Sequence, residues 1–146
     1  MTASAVVLDV FAAVAVRDVD RLVARFSPRC VFEDVPARTT AVGRRQFQAY
    51  MEDLWTSLPD FHVERYELVA DATSVAAQLV LGGTHRGGFL AVEPSNRPIS
   101  WRAAAFYRVD RRRGMVTREA YYYDVAELTR ALQTADADRS VDCEPL

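Results

Sequence analysis

Lysine is absent from the 146-residue chain, and cysteine and histidine each occur only twice. Arginine therefore supplies all of the positive side-chain charge, which we interpret as a compositional bias and not as a binding site. Cys30 and Cys143 lack the spacing of metal ligands or of a redox motif, so we expect a reducing, cytoplasmic compartment. Histidines and acids show no HxH or HExxH spacing, and we expect no metal.

Long apolar runs are also missing. No run approaches ~18 residues, so no membrane span is expected, and the first residues lack the basic region and cleavage pattern of a signal peptide. The net charge of −2 provides no bulk attraction to nucleic acid or to anionic membranes. The glycine-dense stretch 82–88 has neither the GxxxxGK[ST] nor the GxGxxG spacing of a phosphate loop. We therefore expect a small hydrophobic substrate as the partner and no cofactor.

The length and the hydrophobic content of 50% indicate a single domain with a substantial core. We assign this domain to residues 1–133. Residues 134–146 are polar and acidic, and we predict that this tail is disordered.

Helical spacing of apolar residues predicts three helices near the start of the chain. Ser4 is the expected cap of the first. Asp18 is the expected cap of the second, which should reach Phe26 before Ser27-Pro28 stops it. A third helix follows Gly43. The buried stripe predicted for the first helix consists of Val6, Val7, Val10, Phe11 and Val14.

Extended patterns dominate the rest of the chain. The predicted strands are 30–34, 61–69, 73–81, 89–92, 99–109 and 115–123. A slip in the alternation near Arg65 predicts a bulge, and a short helix is predicted over 125–132. Helices followed by strands indicate an α+β fold in which three helices pack on a curved, mostly antiparallel sheet of five to six strands. Such a sheet leaves a conical pocket, where we expect the site.

Alternation assigns faces to the last two long strands. Arg102, Phe106 and Arg108 should face outward. The pocket face of the first strand should carry Trp101, Ala103, Ala105, Tyr107 and Val109. In the second strand the inward set is predicted to be Thr117, Glu119, Tyr121 and Tyr123, and the outward set Val116, Arg118, Ala120, Tyr122 and Asp124.

Several motifs occur in a characteristic order: Arg-Asp-Val-Asp at 17–20, Leu-Pro-Asp-Phe at 58–61, Gly-Thr-His-Arg-Gly-Gly-Phe-Leu at 83–90 and a terminal Tyr-Tyr-Asp. Over about residues 5–133 this order resembles the SnoaL-like polyketide cyclases of the nuclear transport factor 2-like superfamily, which also holds ketosteroid isomerase and limonene epoxide hydrolase. The resemblance implies a conical α+β barrel, a homodimer through the open sheet face and a role in natural-product or antibiotic biosynthesis.

The catalytic sets of these relatives do not carry over. Asp34 falls where the resemblance places the proton-shuttling aspartate of ketosteroid isomerase, but that enzyme's oxyanion-hole acids fall on Val10 and Ala105. The histidine and aspartate of the aldol-type cyclases fall on Ala105 and Tyr121. Ala103 and Ala105 occupy the Arg-x-Asp positions of the epoxide hydrolases. The resemblance thus implies the fold more strongly than a reaction.

Three acids are candidates for chemistry. Asp34 is either a site residue at the pocket mouth or a solvated loop acid. Glu119 is either a buried acid–base group, whose neutral form desolvation would favour, or a paired rim carboxylate. Asp124 precedes a helix that carries Glu127, so a capping box is preferred to a catalytic role.

The remaining site candidates carry neutral polar or aromatic groups. Tyr50 and Tyr121 would polarise a substrate oxygen, or would only pack in the core. His85 is a candidate acid–base group, although hydrogen bonding within the glycine-rich bend is the preferred role. The predicted substrate-binding residues are Trp55, Trp101, Ala105, Tyr107 and Tyr123.

The leading hypothesis is a cofactor-independent cyclase, isomerase or lyase acting by proton transfer on an apolar, oxygenated polyketide- or terpenoid-type intermediate. One alternative is an epoxide hydrolase or dehydratase that uses a bound water. The other is a non-catalytic, dimeric module that binds a small molecule.

Overall fold

The computed structural model describes residues 1–134; the tail predicted to be disordered lies outside the described residues, apart from Thr134. The elements in chain order are α1 (Ala3–Ala15), α2 (Val19–Ala24), β1 (Phe26–Asp34), β2 (Thr39–Val42), α3 (Gly43–Ser57), β3 (His62–Ala70), β4 (Ser74–Thr84), β5 (Pro98–Asp110), β6 (Met115–Tyr123) and α4 (Val125–Gln133). The predicted α+β class is confirmed.

The six strands form one curled, unclosed sheet in the order β2-β1-β6-β5-β4-β3. Neighbouring strands are antiparallel except for β1 and β6, which run parallel. Helix α1 packs on β3 to β6, and α3 packs on β1 and β2. Helices α1 and α3 thus cover the concave face of the sheet.

The apolar stripe of α1 is buried as predicted, and a cluster of phenylalanines continues the core below α3. Phe26 and Phe47 stack with ring centroids 4.0 Å apart, and Phe32 lies 5.5 Å from Phe47. This cluster joins β1 to α3 at the end of the sheet where the chain first enters it.

The start of the chain differs from the prediction in three places. Helix α1 is capped by Thr2, whose hydroxyl accepts from the Ala5 amide, because the helix already includes Ala3. Helix α2 ends at Ala24, and Phe26 begins β1 instead, since it pairs with Val116 of β6. The four-residue strand β2 was not predicted at all.

Three register shifts shape the sheet, one of them in the β1–β6 pairing between Phe26 and Val31. The bulge predicted near Arg65 is confirmed by a shift between Val63 and Arg65 in the β3–β4 pairing. The third shift, in the β5–β6 pairing between Arg108 and Val109, was not predicted. Beyond it Val116 pairs with Val109 and is fully buried, so the outward assignment of Val116 was wrong.

The glycine-rich stretch is only partly a bend. Strand β4 continues through Gly82 and Gly83, and the short strand predicted over 89–92 is a single bridge between Phe89 and Val92. A Cβ on Gly87 would lie 2.7 Å from the Thr56 carbonyl oxygen, so the close approach to the end of α3 requires glycine there.

The outer face of the sheet is as open as predicted. Phe106 and Tyr122 are 53% and 44% exposed, and their rings meet edge to face at 5.9 Å. Arg118 forms an ion pair with Glu33 on the same face. The homodimer expected through this face stays a prediction. Within residues 1–134, no helix has both the length and the apolar character needed to cross a bilayer.

Asp124 is the N-cap of α4, and its side chain accepts from the Glu127 amide at 3.1 Å. Asp124→Ala should therefore lower the free energy of unfolding by about 1 kcal/mol, which for a chain of this size lowers the melting temperature by roughly 3 °C. Asp124→Asn keeps an acceptor oxygen and should stay within a few tenths of a kcal/mol of wild type. Thermal melts of both variants check this. If both variants lose the same unfolding free energy, the negative charge of Asp124, and not the cap, is the stabilising feature.

Candidate active site

Helices α1 and α3 and the concave face of the sheet surround a cavity of about 690 Å³, a volume that includes its open mouth. The cavity is narrow, since the space open to the centre of a water-sized sphere is about 80 Å³. Most of its wall is apolar. The polar side chains in the wall are two carboxylates and four tyrosines: Asp34, Tyr50, Tyr107, Glu119, Tyr121 and Tyr123.

Strand pairing explains why these polar groups meet. Alternation along β6 turns Glu119, Tyr121 and Tyr123 to the cavity, as predicted. The parallel register of β1 with β6 places Asp34 opposite Tyr121. The antiparallel register of β5 with β6 places Tyr107 opposite Glu119. All six polar side chains except Tyr50, which comes from α3, therefore belong to three adjacent strands.

Asp34 is buried, being 6% exposed, at the end of β1. One carboxylate oxygen accepts from the Tyr50 hydroxyl at 2.7 Å and from the Tyr123 hydroxyl at 3.3 Å. The other accepts from the Ala37 amide at 3.2 Å. Three donors from three different elements hold this carboxylate, so Asp34 is a fixed cavity acid and not a solvated loop residue.

Glu119 lies in a different environment. Burial raises the pKa of its carboxyl group from the usual 4.5 to about 8, and a hydrogen bond with Tyr107 opposes this shift only in part. The same burial, with the Glu119 charge nearby, raises the pKa of Tyr107 well above its ordinary value. Glu119 is therefore largely protonated at neutral pH, and the rim-carboxylate interpretation does not fit its 9% exposure.

Tyr121 lies between the two carboxylates. Its hydroxyl oxygen accepts from the indole N–H of Trp101 at 2.9 Å, and its ring lies 4.8 Å from that of Tyr123. Burial raises the pKa of Tyr121 well above its ordinary value, although the Trp101 bond lowers it. Tyr121 is consequently a neutral phenol over the whole physiological range.

The predicted site residues divide into two groups. Four of the five catalytic candidates line the cavity, namely Asp34, Glu119, Tyr121 and Tyr50, and so do Ala105, Tyr107 and Tyr123 of the substrate-binding set. Their roles in catalysis stay predictions. His85, Trp55 and Trp101 are not part of the cavity wall.

Each of these three residues is buried behind the wall. His85 is fully buried, and its ring accepts from the Ser95 amide at 3.2 Å, which ties together the two ends of the loop that contains Phe89. Trp55 is 3% exposed and lies under the guanidinium of Arg17. Trp101 reaches the site through its bond to Tyr121 and packs against Phe61 and Phe89 of the cavity wall.

The apolar wall was not included in the predicted site. The cavity is also lined by three residues of the α1 stripe, Val10, Phe11 and Val14, and by Phe89, although sequence reasoning assigned the stripe to the core. The helical spacing of the stripe was the signal that could have identified it as cavity wall. An apolar helix face that packs on a curved sheet also borders the cavity between helix and sheet. Among residues 1–134, no three histidine, cysteine or acidic side chains lie close enough to hold a metal ion.

Comparisons with known proteins agree with this architecture. No curated protein matches the chain. A candidate polyketide cyclase from Xanthomonas campestris pv. campestris has a TM-score of 0.80 at 20% identity, over 89% of this chain and 96% of that chain. AclR from Streptomyces galilaeus, described as a candidate hydroxylase, has a TM-score of 0.73 at 23% identity, over 88% and 93%.

A third solved structure comes from Catenulispora acidiphila: a protein with a ketosteroid isomerase-like fold in complex with trimethylamine. It has a TM-score of 0.75 at 18% identity, over 92% of this chain and 96% of that chain. At these identities the structures show a shared fold. The model of the SnoaL-like polyketide cyclases matches residues 5–132, so the chain belongs to the SnoaL-like polyketide cyclase family.

Proposed function

We propose that the protein is a cyclase-type enzyme that needs no cofactor and catalyses ring closure or double-bond migration by proton transfer. Its substrate would be a flat, apolar, oxygenated intermediate of polyketide or terpenoid type. The observation that carries this proposal is the pair of cavity carboxylates in unlike environments, Asp34 held by three donors and Glu119 held in an apolar wall.

The cavity supports the substrate class. An apolar wall with aromatic rings holds a flat molecule in one orientation, and such positioning can supply much of the rate of an intramolecular closure. The polar groups are few and lie on one side, which suits a substrate with one oxygenated edge. Family membership supports a cyclase-type role, while the reaction itself follows only from this chain's own residues.

Asp34 is the base in this proposal, and Glu119 is the acid. A substrate C–H approaching the carboxylate of Asp34 would lose its proton to Oδ1, the oxygen that accepts from the Ala37 amide and from neither tyrosine. Glu119, protonated below about pH 8, would return a proton to the product. Tyr50 was expected to polarise a substrate oxygen, but its hydroxyl donates to Asp34 and so orients the base.

Asp34→Asn should abolish proton abstraction. We expect the exchange of the α-hydrogens of 2-tetralone, a flat bicyclic ketone, for deuterium in D2O to slow about 100-fold relative to the wild-type enzyme. The amide still accepts from Tyr50 and Tyr123, so binding of the ketone should change little. Proton NMR follows the exchange, and titration calorimetry follows the binding.

Glu33→Gln is the matched control, because Glu33 precedes Asp34 in β1 but belongs to the outer face, where it pairs with Arg118. It should exchange at the wild-type rate. Wild-type protein that binds 2-tetralone but never accelerates exchange would contradict the proposal and favour the non-catalytic binding module.

Glu119 should make stability depend on pH. The neutral form is favoured in the folded state, so the stabilisation that comes from this raised pKa is complete below about pH 4.5 and is lost as the pH rises through about 8. Glu119→Gln should therefore be more stable than wild type at pH 9 by several kcal/mol and should differ little at pH 5. Urea unfolding at both pH values measures the difference.

Exchange of 2-tetralone should also fall above about pH 8 in wild type, and this fall should disappear in Glu119→Gln. Glu127→Gln, in helix α4 and outside the cavity wall, serves as the control for a generic loss of charge. A stability difference that is the same at pH 5 and pH 9 would show that Glu119 is ionised throughout, and the assignment of Glu119 as the acid would then be wrong.

A further inference from the structure

The four tyrosine hydroxyls in the cavity wall are not equivalent. Those of Tyr50 and Tyr123 donate to Asp34, and that of Tyr107 is bonded to Glu119. Tyr121 instead accepts, from the indole N–H of Trp101 at 2.9 Å. Across the described part of the chain, residues 1–134, the hydrogen of the Tyr121 hydroxyl has no acceptor.

The chemistry of the Trp101 bond determines where that hydrogen points. An indole N–H only donates, so the Tyr121 oxygen must accept, and its own hydrogen has to point away from Trp101. Trp101 is 2% exposed, with its ring centroid 6.0 Å from Phe61 and 6.2 Å from Phe89, so the donor is held in place. Accepting one hydrogen bond also makes a hydroxyl a stronger donor.

The geometry points to Tyr121 as the binding site for the carbonyl oxygen of the substrate, with Trp101 as the positioning residue that directs the hydroxyl hydrogen to it. The inference rests on the proposed function. It assigns the residue that would hold the substrate oxygen, for a carbonyl compound that carries a hydrogen on the adjacent carbon.

The register connects this oxygen site to the base. Tyr121 lies directly opposite Asp34 in the parallel β1–β6 pairing, so a carbonyl oxygen at Tyr121 brings the adjacent carbon to the side of the cavity where Asp34 lies. Asp34 takes the proton from that carbon, the C–H electrons form the C=C bond, and the C=O π electrons move to oxygen. The resulting enolate accepts from Tyr121, which keeps its own proton.

The same contacts answer a difficulty raised by the sequence. The positions that would stabilise an enolate in ketosteroid isomerase fall on Val10 and Ala105, and neither side chain donates. Ala105 is the β5 partner of Tyr121. Both residues line the cavity, so the donor for the enolate comes from β6 in this proposal and not from the position of Ala105.

The test uses the infrared carbonyl stretch of 2-tetralone labelled with ¹³C at the carbonyl. Bound to wild type, the band should lie below its position in an aprotic solvent. Tyr121→Phe should return the band to the aprotic position, and Trp101→Phe should leave a smaller shift with a broader band. Tyr122→Phe, on the outer face of the same strand, should behave as wild type.

Affinity provides a second measurement. Wild type should prefer 2-tetralone to the hydrocarbon tetralin, and Tyr121→Phe should reduce this preference about five-fold, while tetralin binds as before. A wild-type complex without the band shift, or a shift that survives in Tyr121→Phe, overturns the oxygen site. An unchanged band in Trp101→Phe overturns the positioning role.

Failure of the oxygen site differs measurably from failure of the proposed function. Asp34→Asn should keep the band shift and lose the deuterium exchange, because it leaves Tyr121 and Trp101 in place. A wild-type protein with the band shift but without exchange would retain the oxygen site and reject Asp34 as the base. If Tyr121→Phe fails to fold, Trp101→Phe decides the question by the same spectrum.

Discussion

The position of β6 between β1 and β5 is the constraint on which the site depends. Its parallel register with β1 brings Asp34 beside Tyr121, and its antiparallel register with β5 brings Tyr107 beside Glu119. Side chains alternate along a strand, so a shift of one residue in either register would turn Glu119 and Tyr121 to the outer face. Two register shifts, between Phe26 and Val31 in the β1–β6 pairing and between Arg108 and Val109 in the β5–β6 pairing, lie before these residues, and their effects are confined to the start of β6.

The two carboxylates show how one wall can hold unlike acids. Asp34 is at least as buried as Glu119, but three donors converge on its oxygens. Glu119 has only Tyr107 to offset the loss of water, and desolvation therefore dominates its pKa. A difference in hydrogen-bond supply, and not in depth, distinguishes the environments of the two carboxylates.

The sequence predicts features that depend on local patterns and misses those set by pairing between distant segments. The α1 stripe, the inward face of β6 and the Asp124 cap each follow from neighbours within a few residues, and all are present. Phe26 begins β1 because it pairs with the buried Val116 of β6, a contact between distant parts of the chain. The helical spacing around Phe26 therefore predicted a second helix that is too long. Alternation also gives the face of a strand but not the depth of a side chain, which is why Trp101 was expected in the cavity wall and lies behind it.

The pair formed by Ala105 and Tyr121 explains how the family fold can be retained while its known catalytic groups are absent. The resemblance places a histidine and an aspartate of the aldol-type cyclases at these two paired positions. Here one position is an alanine and the other is a tyrosine whose hydroxyl accepts from Trp101, the group proposed to donate to the substrate oxygen. An alanine and a neutral phenol do not form the acid–base pair of those cyclases, and the carboxylate opposite Tyr121 is that of Asp34, the base of the proposed function. The proposed enolate formation, which needs one base and one oxygen donor, fits this arrangement better than chemistry that needs an acid–base pair at these two positions.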